Sequence, residues 1–207
     1  MKKFWLIGLS MLMMLGLLGC GSDVGKAEQK ASAPAPQKVA DTVPPAGKGK
    51  ILVAFFSATG NTKQLAESTA KALGADLYEV RPANPYTSED LNYNDESTRA
   101  TVEQKNDQAR PELADKNAPV ANYDTIVLAY PIWWSQAPRL MDTFVESYDF
   151  TGKNMTAICT SGGSDIGSSA DYLQKLTKGQ ANWQPGKLLS PRADEQEIKS
   201  WFAGLGF

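Results

Sequence analysis

Ile51-Leu52-Val53-Ala54-Phe55-Phe56-Ser57-Ala58-Thr59-Gly60-Asn61-Thr62-Lys63-Gln64-Leu65-Ala66 decides the fold. Six apolar residues end in a short polar turn, and a helical spacing of apolar residues starts immediately behind it. The stretch therefore reads as a buried strand, a tight loop and a helix. The start of such a helix presents backbone N–H groups and a partial positive charge, which suits a phosphate. Ser57, Thr59 and Thr62 supply hydroxyls, Gly60 lets the backbone curl around an anion, and Ala58 and Asn61 complete the loop. An ordinary helix cap at Thr59 or Asn61 is the alternative, but a cap needs neither three hydroxyls nor a glycine. No Gly-Lys-Ser/Thr follows, and the spaced glycines of a dinucleotide fingerprint are missing, so the loop favours a mononucleotide over ATP or NAD.

Outward from this unit the pattern repeats. Strands are expected at 51–56, 77–80, 125–130, 155–160 and, more weakly, 181–184; helices are expected at 62–73, 138–148, 168–176 and 194–202. Strands alternating with helices argue for a parallel sheet covered on both faces. Residues 82–119 interrupt the alternation. They are polar and carry Pro82, Pro85, Pro111 and Pro119, and they read as an insertion with one exposed helix at 88–106. Its acidic residues Glu89, Asp90, Asp95, Glu96, Glu103 and Asp107 could meet a redox partner, but a solvated face is the expected role of such charges.

Three loops in chain order carry a family resemblance. Phe56-Ser57-Ala58-Thr59-Gly60-Asn61-Thr62 resembles the phosphate loop of flavodoxins. Tyr130-Pro131-Ile132-Trp133-Trp134-Ser135-Gln136-Ala137-Pro138, after the third strand, is similar to the aromatic loop on which these proteins stack their flavin. Thr160-Ser161-Gly162-Gly163-Ser164, after the fourth, resembles the loop that meets the flavin's pyrimidine edge. The resemblance covers about residues 50–203. It implies a flavodoxin-like α/β fold, a five-stranded parallel sheet in the order 2-1-3-4-5 with helices on both faces, and FMN as cofactor. Ligands of such sheets bind outside the carboxyl ends of the strands, where strand order reverses, and flavodoxins are themselves a standard example of that rule. The expected FMN contacts are Ser57 to Thr62, Pro131 to Ser135 and Thr160 to Ser164.

Within the aromatic loop, adjacent side chains of an extended segment point opposite ways, so one tryptophan can enter the core while the other faces a ligand. The resemblance assigns Trp134 to the flavin and leaves Trp133 between the two roles. Flavodoxins commonly carry glycine after the stacking aromatic, where rotation of the peptide tunes the first reduction potential of the flavin. Ser135 stands there instead. If that rotation needs positive φ, serine opposes it by about 1–2 kcal/mol.

Composition removes several function classes. Lys plus Arg number 21 against 23 Asp plus Glu, and a pI near 5.3 leaves no broad basic surface, so nucleic acid is not an expected partner. The chain contains no histidine; a Ser-His-Asp triad or a His-ligated metal site cannot be built. Lys2 and Lys3 followed by the apolar run from Phe4 to Leu18 and by Gly19-Cys20 form a signal segment that resembles a bacterial lipobox. That resemblance implies a lipid on Cys20 and a place outside a bacterial membrane; the apolar run is shorter than the ~20 residues of a membrane span. Residues 21–49, rich in Ala, Pro, Lys and Gln, read as a disordered tether with a reach of roughly 30 Å. Residues 50–207 remain for one domain. Cys159, the only other cysteine, reads as a small buried hydrophobe. Three uses follow from the resemblance: single-electron transfer to a partner protein, two-electron NAD(P)H-dependent reduction of a small acceptor such as a quinone, or a non-redox lipoprotein that has lost its flavin. No nicotinamide motif and no acid/base residue matched to hydride chemistry is visible, which favours an electron carrier or a weakly specified oxidoreductase. The oligomeric state is left open.

Overall fold

The computed structural model describes residues 49–206; the expected signal segment, the Cys20 anchor and all but the last residue of the tether lie outside them. In chain order the elements are β1 (Ile51–Phe55), α1 (Asn61–Leu73), β2 (Asp76–Glu79), α2 (Arg99–Lys105), β3 (Thr125–Pro131), α3 (Arg139–Ser147), β4 (Asn154–Thr160), α4 (Ser169–Leu176), β5 (Asn182–Trp183), β6 (Lys187–Leu188) and α5 (Glu195–Ala203). The strands are parallel and lie in the expected order β2-β1-β3-β4-β5, with β6 also on β4.

Period-two alternation in the central strands builds two cores. Leu52, Ala54, Ile126, Leu128, Tyr130, Met155, Ala157 and Cys159 share one face with Leu140, Met141 and Phe144 of α3 and Leu173 of α4. Val53, Phe55, Val127, Ala129 and Ile158 share the other with Leu65 and Ala66 of α1 and Ile198 and Phe202 of α5. Strands apolar on both faces need cover on both, which is why helices pack as α1 with α5 and α3 with α4. Helix α1 stops at Gly74, whose φ of 63° allows its N–H to reach the Ala70 carbonyl. Cys159 is fully buried as expected, and burial pushes its thiol up to about 12, so it stays protonated. No helix among the described residues is long and apolar enough to cross a membrane.

Two expectations need correction. The fifth strand is two short pieces rather than one. Met155 pairs with Trp183 but Ile158 pairs with Lys187, so one extra residue enters the edge strand between them. Pro185, which cannot donate to a ladder, sits in this bulge, and its carbonyl accepts from Thr156 Oγ1 at 2.8 Å. The helix expected at 88–106 is also shortened to Arg99–Lys105. Upstream of it, short polar side chains take the backbone bonds a helix would need: Thr87 N–H donates to Asp90 Oδ2 at 2.9 Å, Asp90 N–H to Thr87 Oγ1 at 3.2 Å, and Ser97 N–H to Asp95 Oδ1 at 2.8 Å. Nor is the helix exposed all round, since Ala100, Thr101 and Gln104 are buried. Inside the insertion the chain returns to its starting point, at an antiparallel bridge between Pro82 and Leu113.

Gly186 closes the bulge against α4. A Cβ there would lie 2.8 Å from Ile166 Cδ1, 3.1 Å from the Ala157 carbonyl oxygen and 3.2 Å from Ala170 Cβ. The isoleucine tip can move, but the strand carbonyl cannot without disturbing β4. Gly186→Ala is therefore expected to lower stability by about 1–3 kcal/mol, read from the midpoint of urea unfolding.

Candidate functional site

The first loop arrives at α1 without a side-chain cap. The N-cap residue is Gly60 at φ 91°, and no side chain bonds the first turn. The capping alternative for Thr59 or Asn61 thereby falls, and the helix start keeps its N–H groups for a ligand. A Cβ on Gly60 would meet nothing within 4 Å, so the positive φ, not crowding, requires glycine. Ser57 shapes the loop from within, since its Oγ accepts the Gly60 N–H at 3.1 Å. Thr62 Oγ1 lies 2.8 Å from Thr160 Oγ1 in a buried hydroxyl pair that ties this loop to the third.

The aromatic loop folds back on itself. Trp133 N–H donates to the Gln136 carbonyl and Gln136 N–H to the Trp133 carbonyl, each at 2.9 Å. Between them Trp134 and Ser135 have φ of 45° and 61°; they are the only non-glycine residues at positive φ among those described. Two positive φ values in a two-residue connection are the signature of a type I′ turn, which normally selects Asn-Gly. With two L side chains it stores about 1–2 kcal/mol per residue. Thus Ser135 already stands at positive φ, the conformation that serine is expected to oppose. The two tryptophans separate because of this turn rather than by extended alternation. Trp133 packs edge-on against Phe56 and Tyr86, at ring-centroid distances of 5.6 and 5.2 Å, whereas Trp134 stands 43% exposed.

In the third loop, Ser161 Oγ accepts the N–H groups of Gly163 at 3.1 Å and Ser164 at 2.8 Å. The three loops surround a cavity of about 510 Å³ lined by Ala58, Thr59, Asn61, Thr62, Pro131, Ile132, Trp133, Trp134, Thr160, Ser161 and Gly162. That volume suits a small-molecule ligand. Of the expected contacts, Ser57, Gly60, Ser135, Gly163 and Ser164 do not line it; they shape neighbours that do. The cavity has a further wall that sequence reasoning missed: Leu91, Tyr93 and Ala100 from the insertion, and Pro191 from the turn before α5. The signal for the first two was present, because Leu91 and Tyr93 are lone apolar residues in an otherwise polar run. For Pro191 there was none. Among the described residues no group of acidic or cysteine side chains is placed to hold a metal ion.

A parallel sheet with helices on both faces and three loops around one cavity at the carboxyl ends of its strands defines a flavodoxin-like α/β protein. Residues 50–205 match the family model described as Flavodoxin, and the chain belongs to the flavodoxin family. Among solved structures, a protein from Bacteroides eggerthii DSM 20697 proposed to be a flavoprotein is 43% identical, with a TM-score of 0.73; the match covers 77% of this chain and 99% of that one. A similar protein from Bacteroides uniformis ATCC 8492 is 42% identical, with a TM-score of 0.70 over 75% and 98% of the two chains. A flavoprotein from Lactobacillus acidophilus NCFM, solved in complex with FMN, shares the fold at 19% identity and a TM-score of 0.56, over 74% and 99%. No protein of curated function matches the chain.

Behind the aromatic loop lies an ion network that is buried at Arg139 and Asp142 and reaches solvent at Asp107 and Glu146. Arg139, 4% exposed, donates to Asp142 Oδ2 at 3.2 Å, Tyr172 OH at 3.1 Å, the Gln104 carbonyl at 3.0 Å, and Asp107. Arg110 makes a two-pronged pair with Glu146 at 2.6 and 2.8 Å and comes within 3.8 Å of Asp142. Three carboxylates thus share two guanidiniums. Asp142 is the fully enclosed one, and its Oδ1 has no partner. Burial pushes its carboxyl up to about 6, against the pull of Arg139 and Arg110. A folded-state value above the ordinary carboxylate range means that Asp142 favours folding most when protonated. That contribution is complete below about pH 4 and is lost as pH rises through 6. Asparagine imitates the protonated form, so the stability of Asp142→Asn relative to wild type is expected to improve by about 2–3 kcal/mol between pH 4 and pH 7. Urea unfolding of both proteins at each pH measures it, and a constant difference would refute the assignment.

Proposed function

We propose that this protein binds FMN in the cavity at the carboxyl ends of β1, β3 and β4 and passes electrons through it, as a carrier held outside a bacterial membrane by a lipid on Cys20. The observation that carries the reading is one cavity with two kinds of lining. One is the capless start of α1, whose N–H groups and partial positive charge receive a phosphate without any lysine or arginine. The lining also carries apolar side chains, the exposed Trp134 with Ile132 and Leu91, that suit a flat heteroaromatic ring.

Thr59 and Asn61 line the cavity at the start of α1, and Gly162 lets the third loop approach closely. Membership of the flavodoxin family and the FMN held by the Lactobacillus relative favour FMN among mononucleotides. Bound FMN supplies the redox chemistry, accepting and releasing electrons on its isoalloxazine ring. The chain's own residues bind the phosphate, hold the ring and exclude water from one face of it. Anchoring rests on the Leu17-Leu18-Gly19-Cys20 sequence, and the proline-rich stretch behind it gives the domain reach from the membrane surface.

Two titrations test the cofactor reading. The purified protein is expected to take up one equivalent of FMN and to prefer it to riboflavin at least about tenfold, the worth of one hydrogen bond to a charged group. Equal affinity for riboflavin, or no uptake, would overturn the reading. Trp134→Ala is expected to weaken FMN about three- to tenfold and to relieve flavin fluorescence quenching. Trp133→Ala should act first on stability, because its ring packs edge-on against both Phe56 and Tyr86.

A further inference from the structure

The strained turn at Trp134 and Ser135 does not hold itself. Its two central residues are L amino acids in a backbone region that glycine prefers, and its own bonds are the reciprocal pair between Trp133 and Gln136. A third contact comes from the insertion. The side-chain amide of Gln104, on α2, donates from Nε2 to the Ala137 carbonyl at 2.9 Å and to the Trp133 carbonyl at 3.3 Å. One NH₂ group therefore spans the turn, with its two hydrogens directed to carbonyls on either side of the strained residues.

The rest of Gln104 is arranged around this contact. The residue is 6% exposed, and its Oε1 is buried without a partner. A side chain that leaves its acceptor unsatisfied to keep both donors engaged is not merely filling space. Its backbone carbonyl accepts from Arg139, which Asp142, Asp107 and Tyr172 hold in turn. One helical turn earlier, Ala100 lines the cavity. Gln104 thus links the wall contributed by the insertion to the wall contributed by the aromatic loop.

We propose that Gln104 is a positioning residue: it holds the Trp134–Ser135 turn in its left-handed form, so that the insertion sets the presentation of Trp134 to the cavity and with it the affinity for FMN. The turn-holding part stands on geometry alone, and the affinity part rests on the FMN reading above. Gln104→Leu removes both donors at similar volume. Gln104→Glu keeps the shape and, when ionised, puts an acceptor where the donors stood.

Hydrogen exchange in the ligand-free protein reads the turn directly. The Gln136 amide, which closes the turn, is expected to exchange at least about tenfold faster in both variants, while the β4 amides keep wild-type protection. FMN titration is expected to show about tenfold weaker binding in both. Glycine at 135 adopts positive φ without strain, so adding Ser135→Gly should reduce each Gln104 effect to less than about threefold. This coupling separates positioning from general loss of stability, which Ser135→Gly would not selectively repair. Unchanged Gln136 exchange overturns the turn-holding role, as does acceleration spread equally over β4. Strictly additive Gln104 and Ser135 effects overturn the coupling. Faster exchange with unchanged FMN affinity confines Gln104 to the turn and overturns its role in binding, while failure of the wild type to bind FMN overturns the cavity reading and leaves the exchange result to decide the turn.

Discussion

The chain leaves β1 towards one face of the sheet and β3 towards the other, and everything at the site depends on that divergence. Helix α1 turns down beside α5, α3 turns down beside α4, and the loops that lead to them separate above two hydrogen-bonded neighbours. No backbone can bridge the gap without crossing strand ends, so a crevice is obligatory. Its floor is stiff. The Phe56 N–H donates to the Ala129 carbonyl at 2.9 Å and the Ile132 N–H to the Thr160 carbonyl at 2.8 Å, extending the ladder into all three loops. The Thr62–Thr160 hydroxyl pair closes it below the cavity.

On this floor the protein places one deliberately unfavourable feature. An Asn-Gly pair would make the turn after Trp133 at little cost, but Asn has no aromatic face. Trp134-Ser135 gives an indole at the lip of the cavity in exchange for backbone strain. Packing holds the strain in place, because Trp133 cannot leave its three-ring cluster with Phe56 and Tyr86 without giving up both edge-on contacts. Tyr86 is itself held by the Arg99 guanidinium, 4.2 Å from its ring centre, and by its hydroxyl bond to Glu103.

The insertion changes the character of the crevice. Without Leu91, Tyr93 and Ala100, the open strand ends would offer a floor and three loops; with them, the cavity acquires a further wall. The acidic residues of this segment are not simply a solvated face. Glu103 bonds Tyr86 and Arg99, Asp107 bonds Arg139, and Asp90 builds the turn at Thr87. Charge that looks like surface composition in the sequence is spent on fastening a polar segment with few apolar residues of its own.

How much of this was legible followed from the range of the interactions. Most strand and helix positions, the parallel sheet and the loop after β1 could be read from the chain, because strands apolar on both faces and a glycine-hydroxyl loop at a strand end are local patterns, whereas the strand order and the other two loops were legible only through the family resemblance. The length of α2 could not. Asp90, Asn92, Asp95 and Ser97 compete for backbone bonds in ways that a hydrophobic pattern does not record. The split of the edge strand hinged on Pro185 and on the space left by Ile166 and Ala170 beside Gly186, which are neighbours only in three dimensions. By itself the sequence determined a parallel sheet covered on both faces and a glycine-hydroxyl loop at the end of its first strand. Only the tertiary structure decided that Trp133 packs on Phe56 and Tyr86 while Trp134 stands exposed, and which residues of the insertion complete the cavity, because both depend on contacts between segments about thirty or more residues apart.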